Sequence, residues 1–140
     1  MNAQQFIDAL RTLEEQGDVD PMAALFANDA ELTNPHLHEP MRGADGARRF
    51  WSEYRDAFGE IRSSFKAQVE TENRAALEWL SEGTLRPDGK PFRYGGVTIL
   101  EWSGDEISRF ATYFDTTPLR VEPTLGADDA TTSQQDPRSW

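Results

Sequence analysis

GADGARRFWSEYRDAFGEI, residues 43–61, is the stretch on which the fold turns. Ala47, Phe50, Trp51, Tyr54 and Phe58 fall at i, i+3, i+4, i+7 and i+11, so one helical stripe carries four aromatic rings. Such a stripe has to lie against something large and apolar. Arg42, Arg48, Arg49, Arg55 and Arg62 cluster around it, with Glu53, Asp56 and Glu60 interleaved, which is the pattern of a solvated helix face with i,i+4 pairing. Gly59 is the expected end of the helix.

Downstream the period changes. Ile61, Ser63, Phe65, Ala67 and Val69 alternate with polar neighbours, as in a half-buried strand. Glu72-Asn73 turns the chain, and Ala75, Leu77, Trp79 and Leu80 mark a second strand to about Leu85. Arg86-Pro87-Asp88-Gly89-Lys90 is a strong hairpin turn. Phe92 to Trp102 is a third strand, in which Gly95-Gly96 permits a bulge or a close approach. After Ser103-Gly104-Asp105 comes a fourth, Ile107 to Phe114. Such a meander predicts an antiparallel sheet. An aromatic helix across a curved sheet would enclose a small chamber lined with rings.

Upstream, Phe6, Ile7, Leu10 and Leu13 predict an amphipathic helix stopped by Gly17. Asp20-Pro21 starts a second, buried through Met22, Leu25 and Phe26 and ended by Asn28-Asp29. Ala30 to Thr33 reads as a short strand. The proline-rich segment NPHLHEPM, residues 34–41, is a loop or a sheet edge. From Glu122 the chain has little apolar content, so residues 1–121 are expected to form one domain and 122–140 a flexible acidic and polar tail.

The 140 residues suit a single core, and the net charge of −11 argues against binding a phosphate backbone. The chain has no cysteine, which excludes disulfides, a thiolate nucleophile and Cys-based zinc sites. Neither a secretory leader nor a membrane span is legible, so the expected setting is cytoplasmic, with no nucleic-acid or membrane partner.

The segment ALFANDAELTNP, then P-M-R-G at 40–43, the FW pair, the G-D-E-I turn and the closing YFD resemble the SnoaL-like branch of the nuclear-transport-factor-2-like superfamily, from about Phe6 to Leu119. That branch includes polyketide cyclases, with ketosteroid isomerase and limonene-epoxide hydrolase as relatives. The resemblance implies a cone-shaped α+β (cystatin-like) fold, N-terminal helices packed on a curved antiparallel sheet. It implies a pocket acting on a small, mostly apolar molecule by acid/base chemistry of isomerase, cyclase or hydrolase type. The alternative is a non-catalytic ligand-binding or interaction module, because function on a shared fold lives in the site.

Strand parity sorts the candidates. Tyr94, Thr98 and Trp102 share one face of the third strand with Leu100, and Phe110 and Thr112 share one face of the fourth. The resemblance implies that the Phe110/Thr112 face looks into the cone. The opposite face, with Val97, Ile99, Ala111 and Tyr113, is also apolar and suggests a homodimer through the outer sheet, or cover from the C-terminal tail. Trp51, Tyr54, Trp79, Tyr94, Thr98, Trp102, Phe110 and Thr112 are then the expected ligand-facing walls.

Asn34 occupies the position where the resemblance implies the general-base Asp of ketosteroid isomerase. An amide cannot take that role, because it has no lone pair that titrates near neutrality. The limonene-epoxide hydrolase pattern instead has an Asn here that helps hold water, although the acid of its last strand corresponds to Thr112. Asn34 either makes a polar cavity contact or caps the loop before Pro35. Asp115 lies near the acid/base position of SnoaL-like cyclases, yet its parity is opposite to Thr112, and it can equally cap the turn at Thr116-Thr117-Pro118. His36 and His38 could chelate a metal, shuttle a proton or belong to a plain loop; nothing else has ligand spacing, so no metal and no cofactor is expected. On the second strand either Glu78 and Glu82, or Leu77, Trp79 and Ser81, point inward. Apolarity favours the latter; in the former case Glu78 would be a buried general base.

Overall fold

The computed structural model describes residues 1–117; the expected tail, 122–140, lies outside the described residues. Helix α1 (Ala3–Gln16) starts in a capping box: Gln5 N–H donates to Asn2 Oδ1 and Asn2 N–H to Gln5 Oε1. It stops at Gly17, whose φ of 72° is a left-handed cap. Its buried stripe is Phe6, Ile7, Leu10, Leu13 and Glu14 with Ala3 and Ala9. The short helix α2 (Asp20–Ala23) follows, then strands β1 (Phe26–Thr33) and β2 (Met41–Arg42), the aromatic helix α3 (Gly43–Asp56), and β3 (Phe58–Glu70), β4 (Arg74–Leu85), β5 (Pro91–Ser103) and β6 (Glu106–Phe114).

The six strands form one curved sheet in the order β2-β1-β6-β5-β4-β3. The meander β3 to β6 is antiparallel as expected, but β1 joins β6 in parallel, with Leu32 opposite Phe110 and Thr33 opposite Ala111. The sheet is therefore mixed. The α+β cone with N-terminal helices on a curved sheet is otherwise the expected fold.

Two boundaries differ from the reading of the sequence. The second helix is a single turn, and Phe26, Asn28 and Asp29 belong to β1. Pairing decides this: Phe26 sits opposite Ile107, and Ile107 N–H donates to Leu25 O at 2.7 Å. A ladder to a strand eighty residues away is invisible to local propensity. Helix α3 ends at Asp56, so Phe58 opens β3 rather than completing the helical stripe. Its ring still joins the row, 5.3 Å from Tyr54 and stacked on Phe92 at 4.9 Å.

Two glycines allow close approaches that shape the cone. Gly43, at φ 76°, opens α3 where a Cβ would stand 2.9 Å from the Asn28 carbonyl oxygen. At Gly96 a Cβ would overlap Tyr113 O and stand 2.8 Å from the Trp79 ring. The Trp79 indole thus lies across bare backbone, the close approach anticipated at Gly95-Gly96. The main core packs α1 and α3 on the inner face through Phe6, Leu13, Leu32, Leu77, Leu100 and Phe110; a second cluster gathers Phe58, Ile61, Trp79, Phe92 and Tyr94.

Candidate functional site

Between the two clusters a cavity of about 640 Å³ opens beneath α3, on the concave side of the sheet. Apolar groups dominate its wall. Trp51 and Tyr54 come from α3, Phe58 and Phe65 from β3, Trp79 from β4, Tyr94 from β5, and Phe110 and Phe114 from β6. Edge-to-face contacts link these rings in series: Phe110 to Trp51 at 5.1 Å, Trp51 to Tyr54 at 5.3 Å, and Tyr94 to both Trp79 and Phe114 at 5.1 Å. The expected walls Trp51, Tyr54, Trp79, Tyr94, Thr98, Phe110 and Thr112 all face the cavity.

Trp102 does not. It keeps the inner-face parity of Thr98 and Leu100 but lies at the far end of β5, in the main core beyond the cavity, where its Nε1–H donates to Glu72 O at 2.9 Å. Parity gave the right face, but it does not say how far along a strand the cavity extends.

The two acids expected to move protons also lie elsewhere. Glu78 is exposed, on the face of β4 opposite buried Leu77, Trp79 and Ser81, so the inward option is the apolar one. Asp115 is exposed and accepts Thr117 N–H at 2.9 Å, which is the turn-capping role; it does not line the cavity. Asn34 and His36 do line it, at the mouth. Asn34 Oδ1 accepts His36 N–H at 2.8 Å, an Asx turn that leaves the Asn34 amide donors uncommitted among the described residues. The His36 ring packs 5.7 Å from Phe114. His38 is exposed and away from the cavity, and no three His, Asp or Glu side chains converge on a metal-sized site among the described residues.

The inner polar groups form two hydrogen-bonded sets. In one, Trp79 Nε1–H donates to Thr98 Oγ1 at 2.9 Å, Thr98 and Thr112 hydroxyls share a 2.9 Å bond, and Thr112 donates to Val97 O at 3.4 Å. The other went unread in the sequence. Glu14, on α1 and 7% exposed, accepts Tyr54 Oη–H at 2.8 Å, Ser63 N–H at 2.9 Å and Ser63 Oγ–H at 2.6 Å. Ser63 Oγ lies 2.5 Å from Ser81 Oγ. Glu14 follows Leu10 by one helical turn and so belongs to the buried stripe of α1, a signal that was available but outweighed by the residue's charge.

Burial, then the charge of Glu14, raises the Tyr54 hydroxyl well above its ordinary value, and the same causes in the same order raise Tyr94. Both phenols are therefore neutral at physiological pH and act as donors or neutral acceptors, not as phenolate bases. Trp51 Nε1–H, also buried, has no hydrogen-bond partner among the described residues.

The chain resembles solved structures of this architecture. An NTF2-like protein from Anabaena variabilis ATCC 29413 superposes with a TM-score of 0.74 at 20% identity, over 83% of this chain and 88% of that one. A protein of ketosteroid isomerase-like fold from Catenulispora acidiphila DSM 44928, solved with trimethylamine, gives 0.71 at 15% identity over 81% and 88%. A protein described as a candidate SnoaL-like polyketide cyclase, from Jannaschia sp. CCS1, gives 0.69 at 12% identity over 86% and 94%. These likenesses establish the fold. No curated protein matches in sequence. The SnoaL-like domain profile matches residues 3–110, from the first residue of α1 to the wall residue Phe110, and the chain belongs to that family of NTF2-like proteins.

Proposed function

We propose that this chain encloses a small, mostly apolar molecule in the ring-lined cavity and transfers a proton on it from the cavity mouth, in chemistry of isomerase, cyclase or hydrolase type. The carrying observation is the cavity itself: about 640 Å³ of space, walled by aromatic side chains, with a few polar groups on its lining. A flat apolar ligand would displace water from the rings and be oriented by those polar groups. The Catenulispora protein, which shares the fold and holds a small organic molecule, is in keeping with this reading.

Within that reading His36 is the proton carrier, since an imidazole changes charge near neutrality and His36 is the histidine that lines the cavity. Asn34, joined to it by the Asx turn, orients the ligand with its amide donors. Thr112 fixes a polar atom deeper in. The test is native mass spectrometry to identify a co-purified molecule, followed by turnover of that molecule. His36→Ala and Asn34→Ala should each abolish most turnover while the variants stay folded. Unchanged turnover in His36→Ala removes the residue from the chemistry.

Binding without turnover is the second reading. One observation favours it: neither Glu78 nor Asp115 lines the cavity, and the buried carboxylate, Glu14, is held by three donors. We further propose that the outer sheet face joins a second copy of this chain, because Val97 and Tyr113, paired across β5 and β6, are 38% and 53% exposed. Tyr113→Glu should then yield a monomer in sedimentation analysis.

A further inference from the structure

The hydroxyl protons around Glu14 can be counted. Glu14 Oε2 accepts two of them, from Tyr54 Oη and Ser63 Oγ, and Oε1 accepts the Ser63 amide proton. The Ser63 proton is thereby spent, so the 2.5 Å bond between the serines must be donated by Ser81. Every proton of the cluster points toward the carboxylate. The lone pairs of Ser81 Oγ and Tyr54 Oη are left over, and both residues line the cavity. The cluster thus shows a ligand acceptors and no donors.

The charge behind it is also uncompensated. Glu14 is almost fully buried, and among the described residues no Lys, Arg or His lies within 4.0 Å of its carboxylate. Buried charges ordinarily have a partner of opposite sign. Tyr54 bonds this carboxylate, Tyr94 stands close enough to feel its charge, and both line the cavity with Trp79 and Phe58. The charged rim is balanced between Arg86 and Lys90 on one side of the ledger and Glu53 and Asp88 on the other, while the whole chain carries −11.

We propose that the Glu14–Tyr54–Ser63–Ser81 cluster is the ligand's polar anchor and that the group it receives is a protonated amine. This names the ligand class for the cavity and rests on the reading of that cavity as a small-molecule pocket. An ammonium bonded to Tyr54 Oη would sit at most about 6 Å from the Glu14 carboxylate, two hydrogen-bond lengths away, and one bonded to Ser81 Oγ three lengths away, at most about 8 Å. The serine relay polarises toward that charge and strengthens the acceptor it presents. A hydroxyl would satisfy the same acceptors without the charge. A carboxylate would meet lone pairs and a like charge.

The test uses one scaffold with four end groups: 2-(2-naphthyl)ethylamine, 2-(2-naphthyl)ethanol, 2-ethylnaphthalene and 3-(2-naphthyl)propionate, titrated into the full chain by saturation-transfer NMR and calorimetry. The amine should bind roughly tenfold to a hundredfold more tightly than the hydrocarbon, as bonds to charged groups do, the alcohol should fall between, and the acid should bind least. Glu14→Gln should erase the amine's advantage and leave hydrocarbon binding in place. If that variant does not fold, the ranking in the unaltered chain still decides. Equal binding of amine and hydrocarbon, an alcohol as tight as the amine, or preference for the acid overturns the anchor while leaving the pocket standing. Failure of all four to bind overturns the pocket reading and the anchor together.

Discussion

The cavity has a floor and a mouth, and the two are built on opposite terms. At the floor, α1, α3, β3 and β4 each contribute one polar side chain to a closed hydrogen-bonded cluster around Glu14. At the mouth, Asn34 and His36 sit on a short loop after β1, tied among the described residues by the Asx bond, a Leu37 N–H to Asn34 O bond and one ring contact. Regular elements packed in a core hold groups to a fixed geometry; a loop side chain keeps its freedom. The floor is therefore suited to recognition, where preorganisation adds affinity. The mouth is suited to a group that must move a proton and release a product.

Deleting the hub of the floor is the harshest way to probe this contrast. Glu14→Ala leaves Tyr54 Oη–H, Ser63 N–H and Ser63 Oγ–H without an acceptor in a largely buried place. We expect a loss of about 3 kcal/mol or more in urea unfolding, at roughly 1–3 kcal/mol per orphaned buried group with some relief from water entering the space. A loss under about 1 kcal/mol would show that the cluster is not preorganised. Ser81→Ala should cost far less, about 1 kcal/mol, because Ser81 donates at the end of the relay and its removal orphans no buried proton. The ratio of those two values measures how far the cluster behaves as one unit.

Alkaline pH separates floor from surface in another way. Tyr54 and Tyr94 hold their protons more tightly in the folded chain than the ordinary phenol value of 10.0. The unfolded chain loses those protons first, so their contribution to stability is intact below about pH 10 and falls as pH rises beyond it. Spectrophotometric titration should show both phenols ionising only as the chain unfolds. Tyr54→Phe and Tyr94→Phe should each remove amplitude from that late phase. If either removes amplitude from the early phase instead, that ring is open to water and the floor is not closed.

The mouth was more legible in the sequence than the floor, for a physical reason. Prolines, an Asn before a Pro and a His pair are local signals; they marked Asn34 and His36 as candidates with several roles open, and the structure puts both on the cavity lining. The aromatic stripe pointed to Trp51 and Tyr54, apolarity to Trp79, and the family resemblance to the Phe110/Thr112 face; all five line the cavity. The floor depends on contacts 49 and 18 residues apart in sequence, which no local period encodes. The same blindness hid the parallel β1–β6 ladder and the one-turn length of α2. Trp102 failed because parity fixes the face of a strand and not the extent of the cavity along it. Glu78 and Asp115 were drawn in by their chemistry, although apolarity already favoured Leu77, Trp79 and Ser81 over Glu78 and parity set Asp115 opposite Thr112.

A comparably small effect should come from Trp51, whose polar atom is buried without a partner among the described residues. Trp51 touches Phe6, Phe50, Tyr54 and Phe110, so its bulk is used, yet its Nε1–H is buried and unbonded among the described residues. Trp51→Phe removes volume, which costs stability, and removes an unsatisfied donor, which restores some. We expect a net loss of about 1 kcal/mol, well short of the 3–5 kcal/mol usual for truncating a buried Trp to Ala. The two terms separate when ligand is present. If the indole donor is spent on a ligand acceptor, Trp51→Phe weakens binding of the co-purified molecule about tenfold while unfolding moves little. If binding and stability fall together, Trp51 is a packing residue, and recognition of polar groups is confined to the floor and the mouth.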